Sequence, residues 1–318
     1  MKAFVLGAGL GTRLKCLTEF LPKPLLPLYH RPAVSYIFDH LIAVGVQEFI
    51  VNTHHCAEAY HKYFPGSSYR DRRIHFRHEP ELLETGGGIA NVADLIGEEA
   101  FIVYNGDILT DLPLKPALEA HEASGNLATL VLRSTGPARQ IAWDPATGNI
   151  SDIRNLLGTN LPCSCQFTGI YLLNPEFFQR LSPGKKQSVI PAFLEMLKKG
   201  EPLGGIVLDE GCWFDIGIRE AYLKAHSAIG FLQFPLYRKQ GERSWEWKIE
   251  IHPSADIHPT AKICPLSWVG ENAVIGANST ITNSIIWQEG KVAEGASLEN
   301  CIVRTGMEAS GSPVNQDI

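Results

Sequence analysis

Two hydrophobic rhythms divide this chain. From residue 1 to 231, short runs of consecutive apolar residues alternate with longer stretches in which apolar residues recur every three to four positions. The runs Ala3–Leu6, Glu48–Asn52, Ile74–His78, Ala100–Tyr104 and Ala128–Arg133 predict strands. The segment 34–44 predicts a helix, with Val34, Ile37, Phe38, Leu41 and Ile42 on one face. Further helices are predicted over 114–123 and 189–199. Alternation of this kind builds an α/β sheet with crossovers. Ligands in such sheets bind at the carboxyl ends of strands. Two turns follow strands directly, the Gly7 loop and Asn105-Gly106-Asp107, so both are expected to face one crevice.

The rhythm changes after Phe231. Residues 232–250 are polar, aromatic and proline-containing and read as a linker. Then Ile251, Ile257, Ile263, Val269, Ile275 and Ile281 fall six apart, with Pro253, Pro259 and Pro265 on the same period. The register slips by one residue, and Ile286, Val292 and Leu298 continue it. A six-residue apolar repeat is the signature of a parallel β-helix, here 251–308 with roughly three coils. So few coils bury little surface, so the repeat is expected to lean on the first domain or on another subunit, and a homo-oligomer is expected. The last residues, 309–318, are small and polar and read as a frayed tail.

Composition narrows the chemistry. With 318 residues and 45% hydrophobic content, two globular domains are expected. The net charge of −6 and the absence of a basic tract argue against a nucleic-acid partner. A polyphosphate would have to be met by local charge and metal. Seven scattered cysteines form no disulfide framework, and Cys163-Ser164-Cys165 lacks the second pair a zinc site needs. The apolar start is too short for a secretion signal and no stretch reaches transmembrane length, so a cytoplasmic protein with no membrane partner is expected.

The chemistry concentrates near the start. Gly7-Ala8-Gly9-Leu10-Gly11-Thr12-Arg13-Leu14 follows a strand, and Leu21-Pro22-Lys23-Pro24-Leu25-Leu26-Pro27 comes soon after. Glycines let backbone N–H groups approach phosphate oxygens, and Arg13 and Lys23 add fixed positive charge. Thr12 stands where a dinucleotide fingerprint needs its third glycine, and Gly11-Thr12-Arg13 is not the Gly-Lys-Ser/Thr of a P-loop. Asp107, at the end of a strand, suits a hard divalent cation. Asp215, within Trp213-Phe214-Asp215-Ile216-Gly217, is an acid in apolar company that needs a partner, which the same metal would supply. Glu84-Thr85-Gly86-Gly87-Gly88 is a second glycine cluster, suited to contact with a flat base. Thr168 and Gly169 interrupt a strand, where glycine marks the close approach of a ligand. His54 and His55 read as structural.

Taken in order, these pieces resemble the sugar-1-phosphate nucleotidyltransferases, the NDP-sugar pyrophosphorylases. The resemblance spans the whole first domain, and a hexapeptide tail is a common appendage of that family. It implies a Rossmann-like α/β domain followed by a short left-handed parallel β-helix. It also implies condensation of a nucleoside triphosphate with a sugar 1-phosphate, releasing pyrophosphate. On that resemblance Ala8, Gly9, Gly11 and Thr12 line the triphosphate, and Arg13 and Lys23 are catalytic. Asp107 and Asp215 hold Mg²⁺, Gly86 and Gly87 face the base, and Gly169 and Thr168 face the sugar. Two departures stand out. The family's Glu-Lys-Pro lysine is missing from Ile150-Ser151-Asp152-Ile153-Arg154-Asn155-Leu156, where Arg154 is the nearest cation. Glu84–Gly88 and Val51-Asn52-Thr53-His54-His55 resemble N-acetylmuramate 1-phosphate uridylyltransferases, whereas the tail resembles mannose-1-phosphate guanylyltransferases. Two other readings are a non-catalytic regulatory subunit of the same layout and a cytidylyltransferase for a phosphorylated alcohol. The first is opposed by the presence of Arg13, Lys23, Asp107 and Asp215. The second is opposed by the absence of an aromatic, acidic cage.

Overall fold

A computed structural model of the protein describes residues 1–229 and 250–318, so nearly all of the expected 232–250 linker lies outside the described residues. The apolar runs form ten strands of one sheet. These are β1 (Lys2–Leu6), β2 (Glu48–Thr53), β3 (Ser68–Tyr69), β4 (Arg72–His78), β5 (Phe101–Asn105), β6 (Ala128–Arg133), β7 (Arg139–Asp144), β8 (Asn149–Ile153), β9 (Cys165–Leu173) and β10 (Gly204–Val207). Their order is β7-β8-β10-β6-β9-β5-β1-β2-β4-β3. β4, β2, β1 and β5 run parallel, with Phe4 opposite Ile50 on one side and Val103 on the other. Those residues are buried, as expected of parallel strands covered on both faces. β9 then enters antiparallel between β5 and β6, so the sheet changes direction beside β5.

The helices expected over 34–44, 114–123 and 189–199 are present as Ala33–Ala43, Lys115–Ser124 and Ile190–Lys198. The second glycine cluster is not a loop. It is itself a short helix, Glu84–Ala90. Phe177, Phe193 and Met196 close the core on Phe101, Tyr171 and Leu173.

After residue 250 the chain winds through three small parallel sheets, visiting each in turn. Asp256–Ile257 pairs with Val274–Ile275, 18 residues on, but Trp268–Val269 pairs with Ile285–Ile286 and these with Ile302–Val303, 17 residues apart each time. The register slip is therefore the true length of a coil: two hexads and one pentad. A second slip follows Leu298, and Val303 and Ala309 carry the stripe to its end. Every expected stripe position packs into this core except Ile251, which is 38% exposed at the open edge.

The expectation of a frayed tail is overturned. Asn315 donates its amide to Glu299, Ile302 and Arg304 donate to Gln316 and Ile318, and Ile318 returns one to Ile302. Small polar residues hid a continuation of the coil, because this part of the ladder is made by backbone and needs few apolar side chains.

Contacts divide the described chain into two compact units, and not at a single boundary. One comprises residues 1–10 and 36–213; the other comprises 11–35, 214–229 and 250–318. The expected division into 1–231 and 251–308 is corrected accordingly. The segment 11–35 holds 3-10 turns and a two-residue hairpin. It has no strand to join the large sheet, so it groups with the coil.

Candidate active site

In the first unit the glycine loop leaves β1 under tight control. Gly7 and Ala8 both donate their amides to Asn52 Oδ1, at 2.7 and 3.3 Å, and Gly9 donates to the Gly7 carbonyl at 3.0 Å. Asn52 Nδ2 in turn donates to Glu79 Oε1 at 2.7 Å, and Glu79 Oε2 accepts the Leu83 amide at 3.0 Å. Glu79 is fully buried. Gly88 allows this network, since a Cβ there would lie 2.9 Å from Asn52 Nδ2 and 3.1 Å from Glu79 Oε1. The amides of Ala8 and Gly9, expected to meet phosphate, are thus used inside the protein. Gly9 itself faces open space, with no atom within 4 Å of a Cβ built on it.

Asn105-Gly106-Asp107 lies beside this loop, because Leu6 pairs with Asn105 and its carbonyl accepts the Gly106 amide at 3.0 Å. Asp107 is half-buried at that strand end. Gly169 has φ 81°, and a Cβ there would meet Asn105 Nδ2 at 2.7 Å. The expected glycine interruption of β9 is a register shift between Phe167 and Tyr171. Thr168 is buried, its hydroxyl donated to the Val131 carbonyl at 2.8 Å and its own carbonyl accepting Trp213 Nε1 at 2.8 Å. Gly86 and Gly87 both donate to the Gln187 carbonyl, at 2.9 and 3.0 Å, and a Cβ on Gly87 would lie 2.4 Å from the Lys185 carbonyl. In this structure these two glycines admit neighbouring backbone. Arg154 is exposed and donates through Nε to Gln140. Asp152 feels a burial cost, but amides of Leu157, Thr159 and Ile153 and the Thr159 hydroxyl outweigh it and hold its carboxyl low. Its role is to fold the turn after β8.

In the second unit Gly11, at φ 69°, opens the turn Thr12–Thr18. The Thr18 hydroxyl donates to the Gly11 carbonyl at 3.0 Å. Thr12 and Arg13 are exposed on the first positions of that turn, where amides have no partner within a helix. A Cβ on Gly217 would lie 2.7 Å from both Arg13 Nη2 and Asp215 Oδ1, so the structure brings those two expected residues to one glycine. Asp215 Oδ1 accepts the Gly217 amide at 2.8 Å. Lys23 is half-buried and begins a 3-10 turn between Pro22 and Leu26.

Against this geometry the comparisons are direct. The nucleotidyl transferase family model matches residues 2–230. The chain belongs to the nucleotidyl transferase family. A second model, the GMPPB C-terminal domain, matches residues 246–310 of this transferase. Mannose-1-phosphate guanylyltransferase of Mycobacterium tuberculosis is 28% identical over 302 residues, covering 93% of this chain and 82% of that protein. N-acetylmuramate alpha-1-phosphate uridylyltransferase of Neisseria meningitidis is 28% identical over 220 residues, covering 68% and 93%. A UDP-glucose pyrophosphorylase from Acinetobacter baumanii shares the fold, with a TM-score of 0.63 at 20% identity over 74% of this chain and 95% of that one. No helix among the described residues is long and apolar enough to cross a membrane.

Asn52 and Glu79 were missed as parts of the transferase site. Asn52 could have been found, because it is a polar residue ending the run Phe49-Ile50-Val51. Glu79 gave no local signal, since its partner is 27 residues away.

Proposed function

We propose that this transferase condenses GTP with mannose 1-phosphate, giving GDP-mannose and pyrophosphate. The observation that carries the choice is the coil, which matches the GMPPB C-terminal domain and extends the likeness to the mycobacterial guanylyltransferase over 93% of the chain. A second reading takes UTP and N-acetylmuramate 1-phosphate. It is favoured by Val51–His55 and Glu84–Gly88 and by the likeness to the Neisseria uridylyltransferase.

The reaction requires no general base. A sugar phosphate is ionised near neutral pH, and its oxygen attacks the α-phosphorus in line, so the protein aligns and neutralises. Arg13 and Lys23 offset charge on the α-phosphate and the departing pyrophosphate. Gly9, Gly11 and Thr12 leave the triphosphate room, while Ala8 and Gly7 set the loop through Asn52. Gly169 borders the sugar, with Thr168 fixing the strand beneath it. Gly86 and Gly87 bring the helix Glu84–Ala90 to the base.

Asp107 and Asp215 fit Mg²⁺, which takes one or two carboxylates and completes its shell with water and phosphate oxygens. Among the described residues no group of three or more candidate ligands forms a protein cage, in keeping with that mode. When bound, the ion would supply positive charge to the transferring phosphate. The hexad spacing supports a left-handed β-helix for the coil, and its strand edges support association with a second copy.

The test is pyrophosphate release with Mg²⁺, crossing GTP, UTP, dTTP, CTP and ATP with the 1-phosphates of mannose, glucose, N-acetylglucosamine and N-acetylmuramate. Release is expected with GTP and mannose 1-phosphate. Asp107→Ala should lower turnover at least about a hundredfold with an unchanged melting temperature. Release only with UTP and N-acetylmuramate 1-phosphate would select the second reading.

A further inference from the structure

The segment carrying Arg13 and Lys23 has almost no regular structure of its own, yet it is anchored at both ends. Its Pro27 carbonyl accepts two side chains from the helix Arg219–Ala228: the Tyr222 hydroxyl, and His226 through Nε2 at 3.0 Å. The coil completes this anchor. Trp287 donates its indole N–H to the Tyr222 oxygen at 3.2 Å, and both residues are buried. Tyr29 stacks on His226 at 5.5 Å with the rings 10° apart, and Trp268 of the coil packs on both. The other anchor is Arg304. Its Nη1 donates to the Cys16 carbonyl at 3.2 Å and to Glu19 Oε2 at 3.1 Å, while its Nε holds the Ile318 carbonyl. Lys23 lies in sequence between the two anchors. Arg219 meets the end of the coil at Asp317, at the start of the helix that follows Asp215.

Two facts make these more than packing. Proline has no N–H, so Pro22, Pro24 and Pro27 reduce what this segment can do to fix itself by backbone bonding. The carbonyl at Pro27 has two lone pairs, and both are taken by side chains from a helix that the coil in turn holds. Each anchor is also specific in direction: indole N–H to phenol oxygen to carbonyl, and guanidinium to carbonyl.

We infer that the coil is a positioning element for nucleotide binding: Trp287, through Tyr222, and Arg304 hold the segment that presents Arg13 and Lys23 to the triphosphate. This rests on the reading of those two residues given above. It assigns the coil a part in the reaction that does not depend on association between copies.

Trp287→Phe keeps the ring and removes the N–H; Arg304→Gln keeps a donor and removes the charge and the fork. Both are made in the full chain. Measured are KM for the nucleotide, KM for the sugar phosphate, kcat, melting temperature and affinity for a fluorescent mant-nucleotide. Losing one neutral hydrogen bond is worth about three- to tenfold. The nucleotide KM and mant-nucleotide Kd should rise by that factor in each variant, with the sugar-phosphate KM within about twofold and the melting temperature nearly unchanged. Arg304→Lys should recover part of the loss. Unchanged nucleotide affinity in both variants overturns the inference. So does a loss shared equally by both substrates and accompanied by a fall in melting temperature. The mant-nucleotide arm separates this from the proposed reaction. A wild-type protein that binds nucleotide but releases no pyrophosphate would sink the reaction, while a selective loss of nucleotide affinity would still uphold the positioning.

Discussion

Residues 7–10 and residues 12–32 serve one expected phosphate site but are fixed by different means. The first stretch is held from directly beneath. Asn52, on the neighbouring strand, takes the amides of Gly7 and Ala8, and Tyr60 donates to the Gly7 carbonyl at 3.3 Å. The second is held from far along the chain, by Tyr222, His226 and Arg304, 195 to 288 residues away. A sheet edge can set a loop to within a hydrogen bond because strand register is already determined. A proline-rich segment with no ladder must import its restraints. The two arrangements should therefore fail differently, and substitutions in the coil and in the sheet can separate them.

The largest effect is expected in the coil. Ile281 is fully buried among Val269, Ile275, Ile286 and Leu298. Ile281→Ala should cost about 2–5 kcal/mol, the transfer term plus the cavity. If the coil holds the segment as described, urea unfolding followed by tryptophan fluorescence should show the loss, and nucleotide affinity should decline before the sheet unfolds. Simultaneous loss of all signals would mean that the two stretches are not separately secured.

A comparable sensitivity to acid is expected in both units. His40 is buried in the first, its Nε2 on the Leu112 carbonyl at 2.7 Å, and His226 in the second, its Nε2 on Pro27. Burial pushes each imidazole down to about 4, against a partial upward pull from those carbonyls. His30 adds a downward push on His226, and Asp111 an upward pull on His40. Each is therefore neutral when folded and takes a proton when unfolded below its ordinary value near 6.5. Stability is fully present above about pH 6.5 and is lost as the pH falls toward 4, on the order of 3 kcal/mol for each histidine. Urea midpoints at pH 7.5, 6 and 5 should show that slope. His226→Gln should remove one share of it and His40→Gln the other. An unchanged slope in His226→Gln would mean that the imidazole is charged in the fold.

Much of this was legible beforehand, for reasons that differ by region. Long apolar runs such as Phe49–Val51 announced the strands because burial on both faces leaves no polar position in them. The hexads were legible because each coil repeats the same demand, and even the slip after Ile281 was visible. The glycine loop with Arg13 and Lys23 was found because its chemistry is written locally. The Glu79–Asn52 support was not, because a buried polar network is defined by which strands become neighbours. The same holds for Trp287: an indole N–H gains meaning only once Tyr222 stands beside it. The tail misled because its ladder is made by backbone, to which hydropathy is blind.

Within the loop itself, Gly7 and Gly9 should part company. A Cβ on Gly7 would meet Tyr60 Oη at 2.6 Å, the Asn52 carbonyl at 2.7 Å and Val51 Cγ1 at 2.9 Å. Gly7→Ala should therefore cost about 1–3 kcal/mol as overpacking, read as a lower urea midpoint. Gly9 has nothing in that space and an ordinary φ, so Gly9→Ala should leave the midpoint in place and raise the nucleotide KM instead. Equal stability losses at both would remove the distinction between a glycine needed by the fold and one needed by the ligand.

The smallest effect sharpens the comparison from the other side. Ile251 keeps the hexad period yet lies at the open edge of the coil, where only the strand at Val269 lies beside it. At 38% exposure it contributes far less burial than Ile281, which occupies the same position in the repeat and is sealed by coils before and after it. Ile251→Ser should move the urea midpoint by no more than about 0.5 kcal/mol and leave nucleotide affinity unchanged, because no anchor of the Arg13–Lys23 segment passes through it. Position in the stack, and not place in the repeat, then decides what a hexad residue is worth. A loss approaching that of Ile281→Ala would instead mean that the edge is covered in solution, and light scattering of the variant against wild type would show whether a second copy of the chain does the covering.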